Sequence, residues 1–394
     1  MSSTLQDRRA NEIELVHHYV GGDGAAALES FLQQFRKTHG SLTLNATHYD
    51  NMRLQVKGRI LDEDPPDLWT GWPGEVKTYA DVGVVADISN VWESAGLERN
   101  FQSAAVDVSK INGAFRTVPL AVHRYNDLYL HTDAVEAAGI DPQRATDPAD
   151  LIEMLSQVDA EGEGPGFLLP MADPFTVLQL WEVTLLGFED IATFEAITNG
   201  KAGSHRRAIS QALEHVVAFA DLADDDSLYH AMTDANQQFI DGVAPVYAQG
   251  DWAAGVFSDT DDFSFGSDWE RIPFPGTEEQ FGVVMDAVIP HIDADPDALE
   301  TFLAYAGSPE AQETFNQNKG SLPARVDVSM DGFSDFSKSQ KRQLDNAREQ
   351  PLSITHGLSV TPMTLVDLKS VIAEFLEDWD VETTTDEMIA VLDG

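Results

Sequence analysis

Apolar and polar positions along the chain fall into short blocks with readable periods. Residues 13–16, Ile13-Glu14-Leu15-Val16, read as a strand, and Gly21-Gly22 follows. Ala27, Leu28, Phe31, Leu32 and Phe35 then recur at helical spacing, which predicts a helix over 25–35. Residues 42–46 alternate as a second strand and 52–60 read as a second helix. The turn Asp64-Pro65-Pro66-Asp67 leads into a third strand, Leu68-Trp69-Thr70. Strand, helix, strand, helix, strand is the pattern of an open α/β sheet. Ligands on such sheets gather outside the carboxyl ends of the strands, which here are His17-His18-Tyr19 and Thr70-Gly71-Trp72.

Further along, residues 113–119 read as a hairpin feeding a strand over 122–130. Helices are predicted over 150–158, 175–186 and 208–223, and strands over 242–250 and 281–289. Two more helices follow at 296–306 and 309–317, and the C-terminal third is helical apart from 351–362. No internal repeat and no low-complexity linker interrupts the chain. Two lobes joined by several crossings therefore fit better than independent domains on a string.

Composition narrows the chemistry. The 394 residues hold 24 Lys and Arg against 67 Asp and Glu, a formal charge of −43. Such a surface repels nucleic acid and anionic lipid. The acidic residues are spread along the chain, as in Asp224-Asp225-Asp226 and Asp261-Asp262, which is the composition of a halophile's surface in molar salt. The absence of cysteine excludes disulfides, zinc–thiolate sites, iron–sulfur clusters and thiol nucleophiles. Residues 1–11 hold no apolar h-region, and no stretch reaches the ~18 apolar residues of a membrane helix.

Enzyme signatures fail. There is no GxSxG, HExxH or Walker loop, and no histidine pair sits at i, i+4 around a carboxylate. Asp327, Ser329, Asp331 and Gly332 begin like a calcium loop, but Lys338 stands at the twelfth position where glutamate is required, so a plain acidic turn is expected. Neither metal nor cofactor is expected. What remains is a set of tryptophan, histidine and carboxylate residues at strand ends: Trp72, His123-Arg124 and Gly250-Asp251-Trp252, with Lys319 and His356 in loops. Sugars need such a mixture, because their hydroxyls take paired hydrogen bonds while their C–H faces stack on aromatic rings. Burial in the core is the plain alternative for Trp72 and Trp252.

Six motifs occur in order: Asp64-Pro65-Pro66-Asp67-Leu68-Trp69, Val118-Pro119-Leu120-Ala121-Val122-His123-Arg124-Tyr125-Asn126, Leu178-Gln179-Leu180-Trp181-Glu182, Gly250-Asp251-Trp252-Ala253-Ala254-Gly255, Phe315-Asn316-Gln317-Asn318-Lys319-Gly320-Ser321 and Thr355-His356-Gly357. With these the chain resembles extracellular solute-binding proteins of sugar ABC transporters, of the glucose/mannose-binding type, from Ile13 onward. The resemblance implies an α/β, two-lobed, periplasmic-binding-protein-like (type II) fold with a hinged cleft between lobes. One lobe would comprise 12–122 and 282–322, the other 123–281 and 323–394, after a disordered tail at 1–11. It implies non-catalytic capture of a hexose such as glucose by a monomer, and delivery to the transmembrane subunits of an ABC permease. Carried over residue by residue, the ligand-binding set is His18, Tyr19, Asp23, Thr70, Trp72, His123, Asp251, Trp252, Asp286, Lys319 and His356. His18 stands where the family has an aromatic, and Thr70 and Trp72 replace its usual Gln–His pair. The resemblance also implies an extracytoplasmic, membrane-anchored protein whose leader is removed or lies upstream of Met1. A sugar-sensing receptor without transport and, below it, a glycoside-processing enzyme are the alternatives.

Overall fold

A computed structural model of the chain describes residues 11–19, 22–49, 51–161 and 164–394. The proposed tail therefore lies outside the described residues up to Ala10. Asn11, at its end, forms a turn whose carbonyl accepts from the Thr43 amide at 2.8 Å. Eleven strands occur among the described residues: β1 (Glu12–His17), β2 (Thr43–His48), β3 (Leu68–Gly71), the short hairpin β4 (Lys110–Ile111) and β5 (Ala114–Phe115), β6 (Val118–Arg124), β7 (Asp127–His131), β8 (Phe167–Leu168), β9 (Val246–Gln249), β10 (Trp269–Pro273) and β11 (Val283–Pro290). The chain divides into two compact units. One runs to Val122 and resumes over Met285–Lys338; the other comprises His123–Val284 and Ser339–Gly394.

The first unit is built on a sheet of order β2-β1-β3-β11-β6, in which β1 pairs in parallel with β2 and β3, and β11 runs antiparallel to β3. Every residue of β11 and of β6 is buried; β6 ends the order, and Val122 on it exchanges backbone bonds with Leu322 at 2.8 and 3.0 Å. Helix Gly22–Thr38 buries the stripe Ala27, Leu28, Phe31, Leu32 and Phe35. Phe31 lies edge-on to Phe315 of helix Pro309–Lys319, and its carbonyl accepts from the Tyr305 hydroxyl at 2.7 Å. Residues 323–338 were assigned above to the second lobe, but they pack in this unit. Arg325 explains why: its guanidinium bonds the Gly307 carbonyl at 2.7 Å, while the flanking amide and carbonyl of Val326 and Ala324 bond Asn100 and Gln102.

The second unit carries a sheet of order β10-β7-β9-β8. Its core surrounds helix Pro174–Phe188, whose residues from Thr176 to Gly187 are all buried. A helix that is apolar all round belongs inside a helical layer, here formed by Pro148–Glu161, Arg206–Ala220, Pro362–Asp378 and Val381–Asp393.

Three local readings change. The strand expected over 122–130 is two strands, because Asn126 turns the chain: its Oδ1 accepts from Arg124 Nε and from the Gly282 amide, both at 2.8 Å. The strand expected over 242–250 shortens to β9, since Gly242 takes a left-handed φ of 69°. Irregular chain covers 320–334 as well as 351–361, and helices Met232–Ile240 and Trp252–Ser258 and strand β10 are additional.

Candidate functional site

The expected residues fall into two groups, one in each unit. In the first unit the parallel strands β1 and β3 end side by side, and the antiparallel register Ala287↔Gly71 places Asp286 at that same end. His18 Nδ1 stands 3.0 Å from Thr70 Oγ1, whose hydroxyl in turn points at Met52 Sδ at 3.6 Å. The Tyr19 hydroxyl donates to Asp286 Oδ2 at 3.0 Å, and both residues are buried. Lys319 sets its ammonium 5.8 Å from the Tyr19 ring centroid. So His18, Tyr19, Thr70, Asp286 and Lys319 form one connected set. The side chain of Asp23 lies outside the described residues.

Trp72 is half-buried beside a pocket of about 350 Å³ lined by His18, Asn51, Met52, Arg53, Leu54 and Gly71. The Arg53 guanidinium lies 4.2 Å from the Trp72 ring centroid and pairs with Glu75. One indole face is thus taken by a cation, which changes what Trp72 can offer a ligand. A larger open groove of about 900 Å³, lined by Asp297, Glu300 and Glu310 among others, contains none of the expected residues. Beneath the site, burial and the neighbouring His48 and His18 hold the His17 imidazole down to about 4.

In the second unit, β6 ends at His123-Arg124 and β9 runs into Gly250-Asp251-Trp252. Asp251 accepts from His123 Nδ1 at 2.7 Å with one oxygen and from the Arg124 amide at 3.0 Å with the other. The Trp252 ring lies near two imidazoles, 6.3 Å from His123 and 5.1 Å from His356. Gly250 permits this approach: a Cβ there would stand 2.3 Å from the indole. No larger residue fits without moving the ring.

His356 sits in a loop held by a residue the sequence reading quoted within a motif but gave no role. Glu182, fully buried on the apolar helix, accepts from Ile354 N at 2.7 Å, Thr355 N at 3.1 Å, Thr355 Oγ1 at 2.7 Å and Ser353 Oγ at 3.2 Å. Burial raises the Glu182 carboxyl, and the hydrogen bonds from Thr355 and Ile354 oppose that rise. Its signal was present in the sequence as a carboxylate in an otherwise apolar helix, where a buried charge needs partners. Phe175, edge-on to His356 at 5.1 Å, and Lys369, 4.9 Å above Phe175, also escaped the sequence reading. In the acidic turn that begins at Asp327, Arg325 holds both Asp327 oxygens at 2.7 Å. Among the described residues no cluster of three His, Asp or Glu could hold a metal ion.

Residues 21–313 match the family of bacterial extracellular solute-binding proteins. The chain belongs to that family. Among relatives of this solute-binding protein, a xylose/arabinose-binding protein of Haloferax volcanii is 30% identical over 97% of this chain and 84% of its own length. An uncharacterized ABC transporter extracellular-binding protein of Pyrococcus horikoshii is 26% identical over 98% of this chain and 89% of its own. Among solved structures, a chitin oligosaccharide binding protein superposes with a TM-score of 0.84 at 16% identity, covering 97% of this chain and 98% of that one. A maltose-bound T. maritima protein gives 0.75 at 16%, covering 97% and 99%. These place the solute-binding protein in the α/β periplasmic-binding fold. No described helix is long and apolar enough to cross a membrane.

Proposed function

We propose that this solute-binding protein captures a monosaccharide with the two residue groups described above and delivers it to an ABC-type permease without chemical change. The observation that carries the reading is the Trp252 ring close to both His123 and His356, with Asp251 bonded to His123. An aromatic face framed by hydrogen-bonding side chains is what a pyranose or furanose ring requires. Tyr19, Asp286, Lys319, His18, Thr70 and Trp72 supply the first unit's share, and Asp23 belongs with them.

Glucose or a related hexose is the sugar that the family resemblance favours. The name of the haloarchaeal relative favours a pentose instead. That relative and the charge of −43 support a protein working in molar salt. Its place is outside the membrane, anchored near the permease, as a monomer.

The test is a melting-temperature screen in molar salt against glucose, mannose, galactose, xylose and arabinose. A sugar at ~100 times its Kd adds ~2.7 kcal/mol to the folded state, a shift of several degrees. One or two aldoses should produce it. A flat response to all five would overturn the reading.

A further inference from the structure

We propose that Asn45 is an N-glycosylation site, carrying an oligosaccharide on its side-chain nitrogen. Of the chain's twelve asparagines, this one alone opens the pattern Asn-X-Ser/Thr with no proline in the middle, as Asn45-Ala46-Thr47. A three-residue pattern also arises by chance, so its place in the fold decides.

That place suits a modification. Asn45 is exposed and lies within β2, the strand that ends the first unit's sheet. Strand alternation turns Leu44 into the core, at 4% exposure, and sends Thr43, Asn45 and Thr47 to the other face. There β1 sets Glu12 and Glu14 opposite Thr43 and Asn45, and Arg59 holds Glu14 at 2.6 and 2.8 Å. The neighbours of Asn45 on this face are therefore polar, and a glycan would open no core. Two residues of a parallel strand span ~6.6 Å, so the Asn45 carboxamide and the Thr47 hydroxyl stand on one side of an extended segment. An enzyme that reads both groups together can meet them on the folded chain. Asn45 pairs with Glu14, three residues and ~10 Å short of the strand end that leads to His18 and Tyr19. A bulky, solvated group here also hinders a second chain from adding to the sheet edge.

The proposal rests on the extracytoplasmic placement given above. The co-reactant is a lipid-linked oligosaccharide whose anomeric carbon is bonded to a phosphate oxygen. The Asn45 carboxamide nitrogen bonds to that carbon while the carbon–oxygen bond breaks, its electron pair leaving with the lipid phosphate. One amide proton passes to a base of the transferring enzyme.

The test takes protein from the organism that makes it, separated into cell-surface and intracellular fractions, and weighs the peptide holding Asn45 by mass spectrometry. Surface protein should carry a mass of sugar residues on Asn45. Asn45→Gln and Thr47→Ala, made in the same cells, should lose that mass, and Thr47→Ser should keep it. A bare Asn45 in surface protein, or a sugar mass that persists in Thr47→Ala, would overturn the proposal. Bare protein found only inside the cell would remove the extracytoplasmic placement, and the proposal with it.

Discussion

Replacing Glu182 with glutamine tests whether the His356 loop is held by hydrogen bonds strong enough to justify a buried charge. The wild-type carboxylate receives Ile354 N on Oε1, and Thr355 N, Thr355 Oγ1 and Ser353 Oγ on Oε2. Glutamine can turn its carbonyl toward the three donors on the Oε2 side. Those bonds then fall from charged to neutral strength, a loss of ~1 kcal/mol each. Its amide faces the Ile354 N–H, donor against donor, and an unmet buried donor costs ~1–3 kcal/mol. Removing the charge returns part of this, because desolvating a buried carboxylate costs several kcal/mol. The balance is a net loss of ~1–3 kcal/mol, a change a urea titration in molar salt resolves. Glu182→Leu would leave four donors unmet, ~4–12 kcal/mol, which reaches the whole stability of many domains and should prevent folding. If Glu182→Gln proved as stable as the wild type, desolvation would outweigh the hydrogen bonds and the reasoning would be refuted.

Tyr19→Phe deletes the hydroxyl that donates to Asp286 at 3.0 Å and should cost ~1.5–3 kcal/mol, read by the same titration. Gly250→Ala should weaken sugar binding with little loss of secondary structure, because the new methyl displaces the Trp252 indole; calorimetry beside circular dichroism checks this. Stability should fall on acidification between pH 6.5 and about 4, because His17 holds its imidazole near 4 when folded and at 6.5 when unfolded, so the unfolded chain takes the proton first. Melting temperatures across that interval, with His17→Asn losing less than wild type, measure it.

Much of this architecture is legible in the amino-acid order because it rests on local periodicity. The stripe from Ala27 to Phe35 makes its helix wherever it packs, and the strand ends at His17 and Gly71 follow from short apolar runs bounded by turns. What sequence reading missed depends on distant partners. The turn at Asn126 exists through the Gly282 amide, 156 residues away. Residues 323–338 pack in the first unit through Arg325 and its carbonyl partner at Gly307, which no periodicity announces. Arg53 covers one face of Trp72, an encounter between the start of a helix and a strand end that neither segment encodes alone. Glu182 was visible as a misplaced charge, but the three residues that donate these bonds lie more than 170 residues further on.

The central claim, sugar capture at the Trp252 cluster, is met most directly by calorimetry of wild type and Trp252→Ala in molar salt with the aldose that raises the melting temperature most. Wild type should bind one equivalent, and the variant, still folded, should bind at least tenfold more weakly. Equal affinity in the two proteins would contradict the account.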